Sequence, residues 1–160
     1  MSKTPAPPPS RAEQFPLADY MCFAVYSTNL AFGKAYKTML EKLGLTYTQY
    51  LALIALAEQD TLTVSSLGDK LYLASNTLTP ILKKLEAMGH VERQRDTQDE
   101  RVVRIRVTKS GRKLRDRAVE MNASVAAMTG LTPDDFAKVQ RGIVALRDTL
   151  IQSAAEAPED

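Results

Sequence analysis

The chain has 160 residues, enough for one domain or for an elongated subunit of an oligomer. Its 44% hydrophobic and 25% charged residues are those of an ordinary globular protein, and one cysteine and one histidine exclude an internal disulfide, a multi-cysteine zinc site and a histidine metal cluster. Net charge is only +2, yet Lys83 to Arg117 holds twelve Lys/Arg against six Asp/Glu, leaving nine against thirteen elsewhere; a basic segment on an acidic body marks a polyanion binder or, failing that, a solvated surface.

The same counts remove most chemistry. His90 is the one histidine, so no base is left for a Ser/His/Asp or Cys/His pair elsewhere. All seven glycines (33, 44, 68, 89, 111, 130, 142) stand alone, so no glycine-rich loop cradles phosphate. No cofactor, no metal and no catalytic residue is expected, and the chain reads as a non-enzyme. The longest charge-free apolar stretch, 43–57, is too short for a bilayer, and the first fifteen residues hold no apolar signal region. The expectation is a cytoplasmic protein with no membrane partner.

Four of the eight prolines fall in the first ten residues, so 1–15 is predicted to be a disordered arm. From Leu17, apolar residues at 17, 21, 25, 32, 36, 39 and 43 recur at helical spacing and predict one long amphipathic helix ending at Gly44. Thr46 caps a second helix through Ala57, whose run LALIALA is apolar nearly all round, as in a core helix. Thr63 starts a short helix with Leu67 and Leu71 inward. Ser75 starts another with Leu78, Leu82 and Leu85 inward, stopped by Gly89, and the corner Tyr72-Leu73-Ala74 between them makes a helix-turn-helix. Pro80 inside the second helix predicts that it is distorted or begins late.

VERQR (91–95) and VVRIRV (102–107) flank DTQDER, and Val103, Ile105 and Val107 alternate with Arg104 and Arg106, which predicts a β-hairpin with a charged tip. Thr108 opens a helix with apolar positions 114, 118, 121, 125 and 128. Thr132-Pro133-Asp134-Asp135 caps a last one with apolar positions 136, 139, 143, 146 and 150. Residues 154–160 read as a disordered tail. The predicted fold is mainly α with a small β-hairpin. Residues 46–107 form a winged helix-turn-helix DNA-binding lobe, and 16–45 with 108–153 form a helical dimerisation region. The apolar stripes of that region need a cover, either a second copy of the chain or one another within one subunit.

The order long helix, helix, helix-turn-helix, charged wing and two long helices, with the wing string DTQDERVVRIRVTKSGRKL, resembles the MarR family of bacterial transcriptional regulators. Within it, MCFAVY (21–26), LTYTQYLALIAL (45–56) and LYLASNTLTPILKKLE (71–86) are similar to the organic hydroperoxide regulators. The resemblance spans residue 17 to about 150. It implies a homodimer on double-stranded DNA, reading a pseudo-palindromic operator with two half-sites about one helical turn apart.

A recognition helix offers its first residues to base edges, and here these are Ser75, Asn76, Thr77 and Thr79, short hydrogen-bonding groups. Ser75 reads equally well as a helix N-cap. Lys83 and Lys84, farther along, suit phosphates. A hairpin can deliver one arginine into a narrow minor groove. The resemblance implies that role for Arg101, with Asp99 bracing the wing; the plain alternative is a surface ion pair. Arg93, Arg95, Arg104 and Arg106 are less assignable, and some of them must face solvent to keep the hairpin soluble.

Cys22 lies about two turns from the predicted helix start, where the dipole favours a thiolate, with Tyr26 at i+4. By composition alone, a lone cysteine on an apolar helix is usually inert. The resemblance implies instead a reactive thiol hydrogen-bonded by tyrosines, matched here by Tyr26, Tyr36 and Tyr47; otherwise all three are amphipathic core residues. Fourteen residues at 1.5 Å each put Tyr36 about 21 Å from Cys22 along a straight helix, so it can serve a thiol only across a dimer. The predicted function is a redox-sensing repressor that leaves its operator when an organic hydroperoxide oxidises Cys22. With no second cysteine, the oxidised sulfur is expected to form a mixed disulfide with a small thiol, to over-oxidise, or to link to the other Cys22. Two alternatives stand beside this: a repressor released by a small aromatic ligand, and a thiol peroxidase, for which Cys22 lacks a nearby group to polarise a peroxide.

Overall fold

The structure, a computed structural model of the chain, describes residues 16–59 and 61–156. The predicted arm at 1–15 and the end of the predicted tail, 157–160, lie outside them. Two compact units are distinguished, Met1–Tyr47 and Thr48–Asp160.

In the first unit a short 3-10 turn, Leu17–Asp19, precedes helix α1, Met21–Glu41. The single helix predicted from Leu17 is therefore broken at Tyr20. That residue takes an extended backbone (φ −84°, ψ 124°) and serves as an N-cap with no side-chain bond, so Leu17 falls outside the helix. Gly44 still ends it. In the left-handed region at φ 69°, it donates to Glu41 O (3.1 Å) while Leu45 donates to Leu40 O (3.0 Å), a Schellman closure with both leucines buried.

Helix α2, Tyr47–Glu58, follows Thr46 directly and buries Tyr50, Ala52, Leu53, Ala55 and Leu56. Strand β1, Thr61–Thr63, comes next. The sequence reading missed it, because three residues show no usable period and Thr63 also serves as the cap of the following helix. Helix α3, Val64–Leu71, starts as predicted, with Thr63 Oγ1 accepting from Ser66 N at 3.0 Å. Helix α4, Ser75–Ala87, begins at Ser75 but takes Ala74 as its N-cap, without a side-chain bond. Ser75 is thus the first helical residue and not the cap, and Pro80 sits inside a helix that does not begin late. The offset is plain: Leu78, Leu82 and Leu85 are fully buried, each worth about 1.5–3 kcal/mol.

Strands β2, Val91–Arg95, and β3, Val103–Val107, pair antiparallel with Val91 opposite Val107 and Arg93 opposite Ile105. β1 adds to the far edge of β3, giving the order β1-β3-β2 in place of a lone hairpin. Val91, Leu62, Ile105 and Val107 are buried with Leu67 and the α4 leucines. Helix α5, Lys109–Met128, is capped by Thr108, whose Oγ1 accepts from Gly111 N (3.0 Å) and donates to Gly89 O (2.8 Å). A Cβ at Gly111 would stand 1.9 Å from His90 O, so only glycine lets the helix start this close to β2. Helix α6, Pro133–Glu156, opens with Thr132 Oγ1 accepting from Asp135 N (3.2 Å) and donating to the Asp135 carboxylate (2.8 Å), and it runs into the predicted tail as far as Glu156. Among the described residues no helix is long and apolar enough to cross a membrane.

Candidate nucleic-acid interface and thiol site

The corner between α3 and α4 is built on Tyr72, a non-glycine residue in the left-handed region (φ 54°). It donates to Asp69 O at 3.3 Å, and Leu73 donates to Gly68 O at 2.9 Å. A Cβ at Gly68 would meet Leu73 O at 2.7 Å, so the sharpness of this turn depends on glycine there. The turn aims α4 so that its leucines enter the core while Ser75, Asn76, Thr77, Lys83 and Lys84 stay exposed and Thr79 is half-buried. Asn76 Oδ1 accepts from Thr77 N (2.8 Å) and Thr77 Oγ1 (3.3 Å), and Thr79 Oγ1 donates to Ser75 O (2.7 Å).

Across from the start of α4, the wing contributes Arg101, Val102 and Val103 to a cleft of about 340 Å³, also lined by Val64, Ser75, Thr79 and Arg93. The fold therefore gathers Ser75, Thr79 and Arg101 around one opening, whereas Asn76, Thr77, Lys83 and Lys84 lie outside that lining. Arg93 shares the inner sheet face with Val91 and Ile105. Its backbone N–H donates to Glu86 Oε1 at 3.2 Å and its guanidinium lies 3.7 Å from Glu86, with Nε buried and unpaired. The strand alternation carried that signal, since Arg93 occurs where Val or Ile would continue the inward row.

Asp99, the predicted brace, accepts from Arg101 N at 2.9 Å. The side chain that spans the wing is another. Asp96 accepts from Gln98 N at 2.8 Å and Asp99 N at 3.3 Å, and pairs with the Arg104 guanidinium on β3. The Gln98 N–H, then the Arg104 bond, hold the Asp96 carboxyl below its ordinary range. An aspartate opening a loop is a turn signal, but the Arg104 pairing required the hairpin register.

In the other unit, Cys22 is the second residue of α1, nearer the helix start than predicted, and it is exposed. Tyr26, one turn on, is 59% exposed, with its ring tilted against Phe23. Tyr36 is buried and packs on Tyr47, ring centroids 5.0 Å apart. Burial, then the Tyr36 phenol, raises the Tyr47 pKa. Because α1 is continuous from Met21 to Glu41, Cys22 and the Tyr36–Tyr47 pair remain about 21 Å apart along it. No group of three or more potential metal ligands occurs among the described residues.

A helix-turn-helix with a three-stranded wing and a polar recognition helix defines a winged-helix DNA-binding transcription regulator. A family profile described as transcriptional regulator SarA/Rot matches residues 34–118. The chain is 37% identical over 143 residues to the organic hydroperoxide resistance transcriptional regulator of Bacillus subtilis (strain 168), covering 89% of this chain and 97% of that one. It is 45% identical over 134 residues to the HTH-type transcriptional regulator TtmR of Methylorubrum extorquens (strain PA1), covering 84% and 69%. Among solved structures, reduced AbfR bound to DNA, a protein of Staphylococcus epidermidis, matches with TM-score 0.72 at 35% identity over 89% of this chain and 99% of that one. The disulfide-formed AbfR matches less well, TM-score 0.60 at 34% identity over 89% and 97%. The chain belongs to the MarR family, in its organic hydroperoxide resistance regulator group. These relatives are transcription regulators and not enzymes, which removes the thiol peroxidase reading.

Proposed function

We propose that the chain is a homodimeric repressor that holds a pseudo-palindromic operator while Cys22 is reduced and releases it when an organic hydroperoxide oxidises that sulfur. In this reading 46–107 reads DNA, and 16–45 with 108–153 joins two copies. Ser75, Asn76, Thr77 and Thr79 face base edges, Lys83 and Lys84 hold phosphates, and Arg101 enters the minor groove with Asp99 shaping its turn. The observation that carries it is the thiol geometry. Cys22 is exposed at one end of α1, and the paired Tyr36 and Tyr47 stand at the other, out of reach within one chain. A two-fold axis lets one copy's phenols serve the other's sulfur, so sensing and dimerisation become one arrangement.

The Cys22 sulfur, as thiolate, attacks the terminal peroxide oxygen. The O–O bond breaks, the alkoxide leaves and takes a proton as an alcohol, and the sulfur becomes a sulfenic acid. A small cellular thiol then condenses with it, releasing water and leaving a mixed disulfide; the partner copy's Cys22 is the other available thiol. AbfR has been solved both reduced on DNA and in a disulfide form. The test is a DNA gel-shift with and without cumene hydroperoxide, comparing the native chain with Cys22→Ser. The native protein is expected to leave DNA and the variant to stay; release of both would refute the sensor role of Cys22.

A second reading rests on the cleft between α4 and the wing. A lining that includes two arginines and three valines suits a small aromatic acid, and such a ligand would compete with the operator directly. An aromatic acid that releases the native chain and Cys22→Ser equally, without peroxide, would favour it.

A further inference from the structure

The seven residues between β2 and β3, 96–102, carry the arginine offered to the minor groove, yet they contain no buried apolar side chain to hold them. What holds them is a relay of polar bonds. Asp96 N donates to Val102 O at 2.9 Å, closing the base of the loop. One carboxylate oxygen of Asp96 accepts from Gln98 N and Asp99 N, and the other takes Arg104 across the hairpin. Asp99, placed by that bond, repeats the motif one step on: its carboxylate accepts from Arg101 N at 2.9 Å and its carbonyl from Val102 N at 2.9 Å. The Asp96 side chain is only 11% exposed, so its charge is turned inward to the loop. Arg101 itself is exposed on the cleft rim.

We infer that Asp96 is the positioning residue of the wing, which fixes through Asp99 and Arg104 the backbone direction from which Arg101 reaches DNA. It touches no base or phosphate, and its effect on operator binding is exerted through Arg101. The inference rests on the proposed role of Arg101 and adds to it a residue that a list of DNA contacts would omit. Without the Asp96 carboxylate the loop keeps its length and its backbone closure to Val102 but loses that side chain's bonds to Gln98, Asp99 and Arg104. Arg101 must then be ordered at the moment of binding, at a cost in affinity for the operator but not for DNA at large.

Asp96→Ala should weaken operator binding about tenfold while leaving affinity for unrelated DNA within about twofold. Asp96→Asn keeps an acceptor for the Gln98 and Asp99 N–H groups and gives up the ion pair, so its loss should be about threefold. Combined with Arg101→Ala, Asp96→Ala should add less than about twofold, the non-additivity of residues acting through one another. Losses that simply multiply in the double variant would overturn the inference, as would native operator affinity in Asp96→Ala while Arg101→Ala is weakened. Equal weakening toward operator and unrelated DNA, with Asn no better than Ala, would reduce Asp96 to general stability and overturn it too. An Arg101→Ala protein with native operator affinity would overturn both the arginine's role and this one.

Discussion

Helices α4 and α6 are both amphipathic, and they end up in opposite conditions. The apolar row of α4, Leu78, Leu82 and Leu85, is completely buried within the chain. In the corresponding row of α6 no residue is buried: Val139 is 49%, Ile143 51% and Leu150 60% exposed, and Phe136 and Leu146 are half-buried. A helix whose stripe is satisfied at home can be spent on recognition through its polar face. A helix whose stripe stays open presents a contiguous apolar surface that single-chain folding has left unused. The helix-turn-helix therefore closes on its own core, while the long C-terminal helix keeps an uncovered apolar stripe.

The most forceful way to break this contrast is in the core. Leu82→Ala should destabilise the chain by about 2–5 kcal/mol in denaturant unfolding. If Ile143→Glu costs as much in the same assay, α6 is not open in the way described. That variant is instead expected to stay folded, within about 1 kcal/mol, and to sediment as a monomer, against the dimer proposed for the native chain.

The α4 side of the comparison can be sharpened on DNA. Arg101→Ala should cost about 1–3 kcal/mol on the operator, whereas Lys84→Ala should weaken specific and unrelated DNA alike and lower the salt slope by about one. Salt titrations of both variants check this, and identical behaviour would void the distinction between reading and holding.

Smaller effects belong to the tyrosine pair. Tyr36→Phe and Tyr47→Phe should slow peroxide-driven release by about three- to tenfold, followed by stopped-flow anisotropy, with reduced-state binding nearly intact. Smallest of all is a pH effect. The folded-state pKa of Tyr47 lies above the ordinary value near 10, so the folded chain holds that proton more tightly than the unfolded one. The stability this contributes is full below pH 10 and is lost as pH rises through the folded value. Absorbance at 295 nm should show that the Tyr47→Phe variant loses a late-titrating phenol present in the native chain.

Much of this was readable beforehand where a local signal had a local cause. Thr63, Thr108 and Thr132 each announced a helix start, Gly44 and Gly89 each closed one, and the Val103-Ile105-Val107 alternation placed the wing. What stayed hidden depended on distant partners. Strand β1 is three residues long and exists only because β3 offers an edge. Asp96 reads as an ordinary turn former until the register brings Arg104 across to it. The break at Tyr20 and the continuity of α4 through Pro80 run against local preference, and the packed leucines explain only the second. Among candidate site residues, Ser75, Thr79 and Arg101 were brought together around one cleft, whereas joining Cys22 to Tyr36 and Tyr47 calls for a second chain.

Gly111 has a consequence out of proportion to its size. Any side chain there would force the His90 carbonyl to retreat from 1.9 Å to at least 3.0 Å, and His90 leads directly into the first strand of the wing. Saturation mutagenesis should find this position intolerant even of alanine, with defects that mimic lesions at Arg101, ten residues earlier in the chain. One missing methyl group thus lets α5 start against the His90 carbonyl, at the foot of the β2–β3 hairpin.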